Sequence, residues 1–191
     1  MSAQLDFFDS PSAPFPAGLK YQADLLSPAE QAGLIDRIQD LPFKNFEFKG
    51  FLGKRRTISF GWRYDFSKEA LQHGETVPDF LDPLRRRAAD FAGIDEALVQ
   101  HVLVTEYEPG AGIGWHKDKA VFDDVIGISL GSPCNFRFRH RKGAGWERAS
   151  ITVEPGSAYL LRGPSRTEWQ HSIPPVEMLR YSITFRSMRP G

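Results

Sequence analysis

A histidine and an aspartate two residues apart, His116 and Asp118, follow shortly after the turn-forming run Glu108-Pro109-Gly110-Ala111-Gly112. In an extended segment, residues two apart point to one face, so an imidazole and a carboxylate can converge on one ion. Alone, the pair reads first as a polar turn. A third donor, His171, stands 53 positions beyond Asp118, with several strand-like runs between them. Two imidazoles and one carboxylate on one face of a six-coordinate ion leave three positions open, which suits iron(II) with a bidentate co-substrate and O2. Zinc is more often four-coordinate and would hold a single water.

Such open positions call for a cation to hold the far end of a 2-oxoacid, and the segment Arg180-Tyr181-Ser182-Ile183-Thr184-Phe185-Arg186 offers one. On a strand, Arg180, Ser182, Thr184 and Arg186 share one face, and Tyr181, Ile183 and Phe185 the other. Two arginines facing a β-fold interior carry a desolvation cost unless anions pair with them. The guanidinium fork matches a carboxylate in bidentate geometry, so 2-oxoglutarate is a fitting partner for Arg180. The alternative is a surface strand that buries only its aromatic face.

These residues need a scaffold. Short β-type runs recur at 101–107, 125–130, 134–140, 149–154, 157–161 and 180–186, separated by turn residues, which predicts an antiparallel sandwich or jelly roll. Upstream, Ser27-Pro28-Ala29-Glu30 is a capping box with Pro at the first helical position, followed by Leu34, Ile35, Ile38 and Leu41 at helical spacing until Pro42. A second helix is expected over about 79–91, burying Phe80, Leu84, Ala88 and Phe91. Between the helices, 46–66 reads as two short strands with Gly-containing turns. Residues 9–18, rich in Pro and Ser, read as an extended arm.

A chain of 191 residues with 41% hydrophobic residues fits one globular domain with a real core. The single Cys134 excludes an internal disulfide and a Cys-rich zinc site. No signal-peptide pattern and no membrane-length apolar run is present, so a cytoplasmic monomer is the default expectation. Net charge is zero, yet basic clusters occur at 54–56, 85–87 and 137–142. They read first as solvated faces that permit a phosphate-binding surface without requiring one. His73, His101, His140 and Cys134 read as ordinary structural residues, and Trp115 and Trp169, which flank ligands, as pocket-shaping ones.

The ordered motifs Tyr-x-Pro-Gly (107–110), His-x-Asp (116–118), Ile-Ser-Leu-Gly (128–131), Gly-Pro-Ser-Arg (163–166), Trp-x-His (169–171) and Arg-x-Ser-x-Thr-Phe-Arg (180–186) resemble the AlkB family of iron(II)/2-oxoglutarate dioxygenases. The resemblance implies an α+β fold: a double-stranded β-helix (jelly roll) core over 101–191, preceded by helices and a strand-rich substrate lid over 19–100 and an arm over 1–18. It implies that His116, Asp118 and His171 ligate Fe(II). Arg180 would pair with the far carboxylate of 2-oxoglutarate, Tyr107 and Ser182 would hydrogen-bond the co-substrate, and Arg186 would lie near the co-substrate and the substrate base. Ser182 and Thr105 stand where relatives often carry Asn. Ala120 stands where nucleobase-repair relatives often carry a base-contacting carboxylate, and the segment from 171 to 180 is short.

The resemblance further implies oxidation of a C–H bond at the expense of 2-oxoglutarate and O2, and demethylation where that carbon is an N-methyl group. Alkylated DNA or RNA is the expected substrate, with a protein side chain or small molecule as the alternative. Within the lid, Trp62 and Tyr64 are candidates to stack on a flipped base, and Arg55 and Arg56 to contact phosphate. Aromatic packing with surface charge accounts for each of them equally well.

Overall fold

The computed structural model describes residues 15–48, 51–65 and 70–189, the side chains at 47–52 and 63–71 excepted. The chain opens with β1 (Leu19–Gln22), α1 (Pro28–Ile38), β2 (Lys44–Phe48), β3 (Phe51–Asp65) and β4 (Ala70–His73). After α2 (Asp82–Ala92) come β5 (Val99–Tyr107), β6 (Ile113–His116), β7 (Phe122–Leu130), β8 (Cys134–Lys142), β9 (Gly145–Val153) and β10 (Ala158–Leu161). The short α3 (Pro164–Thr167), β11 (Gln170–Ile173) and β12 (Arg180–Met188) complete it.

The strands form two sheets. The larger runs β1-β10-β7-β12-β5-β3-β2, with β4 paired to β3; the smaller runs β6-β11-β8-β9. Every pairing is antiparallel, and most neighbours in the core, such as β10 with β7, β7 with β12, β12 with β5 and β11 with β6, are far apart in sequence, the mark of the jelly roll that the run spacing predicts.

Period-two alternation sorts the side chains of the large sheet onto two buried faces. Val102, Val104, Ile126, Ile128, Tyr181, Ile183 and Phe185 form one core with Ile38, Leu81, Leu84, Ala88 and Phe91 from the helical side. Tyr107, Val125, Tyr159 and Leu161 face the small sheet and pack with Phe136, Phe138, Trp169 and Ile173. A strand covered on both faces must answer every polar group it carries, a rule that governs the site. Glu106 obeys it on the helix side, accepting from Arg56 Nε at 2.6 Å and Tyr181 Oη at 3.2 Å.

Several expectations need revision. The segment 46–66 holds the end of β2 and then β3, which is one strand of 15 residues rather than a short one, and Gly53 and Gly61 lie inside it. Gly61 takes φ +76°, and a Cβ there would stand 2.2 Å from the Gln100 carbonyl oxygen, so the residue kinks the strand where it leaves β5. The second helix begins as a 3-10 turn, Asp79–Leu81, because Pro83 at the start of α2 makes a new helical entry. The four-residue strands β1, β6 and β11 add to the expected runs. The arm expected over 1–18 lies outside the described residues up to position 14. Among the described residues, no helix is long and apolar enough to cross a membrane.

The capping box forms as the sequence predicts. Ser27 Oγ accepts from the Glu30 amide at 3.3 Å, and Glu30 Oε2 accepts from the Ser27 amide at 2.7 Å. Glu30 also holds Arg87 of α2 at 2.6 Å, tying the two helices together. Ser27→Ala should lower the unfolding free energy by about 1 kcal/mol, read from the urea midpoint, and leave metal affinity unchanged.

Candidate active site

His116 ends β6 and His171 sits in β11, directly opposite one another in the antiparallel ladder. Their ring centroids are 4.3 Å apart. Asp118 follows β6, and its Oδ1 lies 3.7 Å from His116 Nε2 and 3.5 Å from His171 Nε2. One ligand atom from each residue falls within 4.8 Å of the others. These spacings exceed a good hydrogen bond and leave the three donors aimed at a shared point. The Gly114 carbonyl accepts from His116 Nδ1 at 2.8 Å, which leaves Nε2 with its lone pair free for a metal.

Charge is arranged to keep this donor set in its ligating form. Burial, then the neighbouring His171, pushes the His116 pKa down to about 4, so the imidazole is neutral at pH 7. Burial alone would raise the Asp118 pKa, but the Arg186 charge and the His171 imidazole outweigh it and hold the carboxyl well below its usual range. Arg186 Nε donates to Asp118 Oδ2 at 2.6 Å, fixing one oxygen and turning the other toward the histidines. Behind it, Arg186 Nη1 stands 3.3 Å from His101 Nδ1. Burial, then the Arg186 charge, pushes the His101 pKa down to about 3, so the ring accepts as a neutral imidazole.

A cavity of about 130 Å³ opens beside the triad, walled by Tyr107, Phe136, Tyr159, Ile173, Ser182 and Thr184. Arg180 is fully buried yet is not itself part of the wall. Its Nε donates to Ser129 Oγ at 3.0 Å, and Ser129 is the cross-strand neighbour of Ser182 in the wall. The guanidinium carbon stands 5.0 Å from the Tyr107 ring centroid. Its Nη1 is buried with no hydrogen-bond partner among the described residues. A buried guanidinium nitrogen without a partner is costly, and a carboxylate reaching it past Ser182 would remove that cost. The donor set and this orphaned nitrogen therefore fit Fe(II) and 2-oxoglutarate respectively.

The sequence-predicted substrate residues separate. Arg55 does line the cavity; its guanidinium lies 3.7 Å from the Phe46 ring centroid and Nη1 donates to the Gly112 carbonyl at 3.3 Å. Arg56 points to the opposite face, where Glu106 engages it. Trp62 is 37% exposed, packs edge-on against His73, and does not line the cavity. The Tyr64 side chain lies outside the described residues. Ala120 is exposed in the loop after Asp118.

Sequence reasoning missed Tyr159, Ser129 and His101 as site residues. The signal for His101 was present in the pairing, since it stands opposite Arg186 across β5 and β12. Tyr159 is placed by Gly127, its cross-strand partner: a Cβ on Gly127 would meet the Tyr159 ring at 2.1 Å. Gly127→Ala must displace that ring, and the Michaelis constant for 2-oxoglutarate should rise at least tenfold in steady-state assays. His101 makes stability acid-sensitive. Its folded pKa lies below the unfolded 6.5, so the contribution is complete above pH 6.5 and drains as pH falls toward 3, by up to about 1.4 kcal/mol per pH unit. Urea titrations of the metal-free protein between pH 7 and 4.5 should show a shallower loss for His101→Asn than for the parent; equal slopes would contradict this.

The family profile described as the 2OG-Fe(II) oxygenase superfamily matches residues 18–186. The DNA oxidative demethylase ALKBH2 of Mus musculus is 31% identical over 145 residues, 68% of this chain and 59% of that protein. The tRNA (carboxymethyluridine(34)-5-O)-methyltransferase ALKBH8 of Mus musculus is 26% identical over 169 residues, 84% of this chain and 24% of its own length. The chain thus spans less than two thirds of the curated relatives it matches. The solved structure of OsALKBH1, 17% identical, superposes with a TM-score of 0.68 over 92% of this chain and 99% of that one, and shares the fold. With its His-Asp-His donor set in a jelly roll, this chain belongs to the 2OG-Fe(II) oxygenase superfamily as an AlkB-like, iron(II)- and 2-oxoglutarate-dependent dioxygenase domain.

Proposed function

We propose that the domain removes methyl groups from alkylated nucleobases in DNA or RNA. The observation that carries this reading is the Phe46–Arg55 pair, a ring and a guanidinium 3.7 Å apart that line the same cavity as the metal ligands. A planar heteroaromatic base can stack there while its N-methyl group reaches the triad. The relatives named as a DNA oxidative demethylase and a tRNA methyltransferase are both nucleic-acid enzymes by those names, which supports the same class.

Bound Fe(II) and 2-oxoglutarate, with O2, supply an oxidant strong enough for an unactivated C–H bond. The chain's residues do the rest. His116, Asp118 and His171 would hold the metal, and Arg186 keeps Asp118 ionised and oriented. Arg180, with Tyr107 and Ser182, would hold the co-substrate's far carboxylate. Phe136, Tyr159 and Ile173 exclude water from the space between. One oxygen atom enters the N-methyl C–H bond, and the resulting N-hydroxymethyl group loses formaldehyde as its nitrogen regains the proton. The β2–β3 hairpin would form the lid, with Arg55 rather than Arg56 turned to the substrate. Without a carboxylate at Ala120, base selection falls to the Phe46–Arg55 edge.

Anaerobic loading with Fe(II) and 2-oxoglutarate, followed by air and methylated DNA or RNA oligonucleotides, should yield succinate and formaldehyde in equal amounts. Asp118→Ala should abolish both products. Arg180→Met should raise the Michaelis constant for 2-oxoglutarate by about two orders of magnitude, the loss expected when a charged hydrogen-bond pair of ~3 kcal/mol is removed. Succinate without formaldehyde would move the substrate to a protein side chain or small molecule, and no succinate would overturn the reading.

A further inference from the structure

The outer face of the small sheet carries charge that the catalytic site does not use. On β8, Phe136 and Phe138 point inward, so Arg137, Arg139 and Arg141 point out. Trp115 from β6 and Trp146 from β9 stand between them. The Arg137 and Arg139 guanidiniums lie 5.1 and 4.5 Å from the Trp115 ring centroid. Those of Arg139 and Arg141 lie 4.3 and 5.0 Å from Trp146. The result is one continuous alternation of guanidinium and indole across the sheet.

Two features say that this ladder is built for an anion. Arg139 stands directly opposite Arg148 on β9, a like-charge pair that costs stability. Glu147, the cross-strand partner of His140, falls by alternation on the other face of the sheet, and among the described residues none of the four arginines is ion-paired. Hydrogen bonds from Arg139 Nε to Gln170 and from Arg137 Nε to Ser172 fix two of the forks, leaving their terminal nitrogens outward.

We infer that this face is a docking surface for a single-stranded nucleic acid flanking the base that enters the site, an inference that rests on the nucleic-acid reading above. Alternate residues of a strand stand about 7 Å apart, the scale of successive phosphates in an extended chain. Trp146, 37% exposed, keeps ring surface beside the guanidiniums, and the guanidinium planes themselves can stack on a base. The ladder also ends at the right place: Trp115 precedes His116 on the edge strand β6, so its outer end lies one residue from a metal ligand.

Fluorescence anisotropy with labelled oligo(dT) and oligo(rU) across a salt series tests it, with the double variant Arg141→Gln/Arg148→Gln and the single variant Trp146→Leu. The double variant should bind at least tenfold more weakly, and the slope of log K against log salt should fall by about 1.4, the value for two lost phosphate contacts on a single strand. Trp146→Leu should weaken binding with the slope unchanged. Both should turn over a methylated mononucleoside like the parent, and Arg148→Gln alone should raise the melting temperature. Variants that bind with the parent's affinity and slope would overturn the ladder while leaving demethylation intact. Ladder-dependent binding without formaldehyde release would sustain it and remove the demethylase reading. Binding of polyglutamate in place of oligonucleotide would overturn it in favour of an acidic protein partner.

Discussion

Asp118 gives one carboxylate oxygen to Arg186 at 2.6 Å and turns the other toward His116 and His171. The arrangement depends on a strand that cannot hide an unanswered charge. β12 is packed against helices on one face and against the small sheet on the other, so each polar group on its inner face needs a partner. Arg186 finds Asp118 and His101. Arg180 finds Ser129 for Nε and nothing for Nη1, a requirement that an incoming carboxylate would fill.

The two sheets divide the labour. The small sheet supplies His116 and His171 from neighbouring strands, set opposite one another by the β6–β11 ladder. The large sheet supplies the cation and the hydroxyls, and both sheets supply the aromatic wall, Tyr107 and Tyr159 from the large and Phe136 from the small. Close packing leaves no spare room over the large sheet, and Gly127 shows it: it is glycine because the ring of Tyr159, its neighbour in that sheet, occupies the place of its side chain. The helices do no chemistry. Their apolar faces complete the outer core, and that core holds β5, β7 and β12 in register.

Much of this was legible because it rests on local rules. Alternation alone assigned the two faces of 180–186, and cap chemistry alone placed the start of α1. The metal donors were legible by type and spacing together, since strands must bring distant residues side by side. What could not be read was set by partners far along the chain. Gly61 looks like a turn residue, but its role is a kink enforced by the Gln100 carbonyl. β6 and β11 are four residues long, too short to show a period. Tyr159 reads as one aromatic in a buried strand until its pairing with Gly127 is known.

Arg55 and Arg56 show the same limit at a single step. A basic pair in sequence reads as one patch, but consecutive residues of a strand point to opposite faces. Arg55 enters the cavity over Phe46, and Arg56 crosses to Glu106 on the helix side. The run 137–142 behaves in the opposite way, because its arginines are spaced by two and all emerge on one face. A net charge of zero therefore conceals a strongly segregated surface. Segregation costs stability through the Arg139–Arg148 juxtaposition, with Glu147 turned to the other face of the sheet. A polyanion meeting this face would find the Arg137 and Arg139 guanidiniums already fixed in place, with little side-chain entropy left to lose.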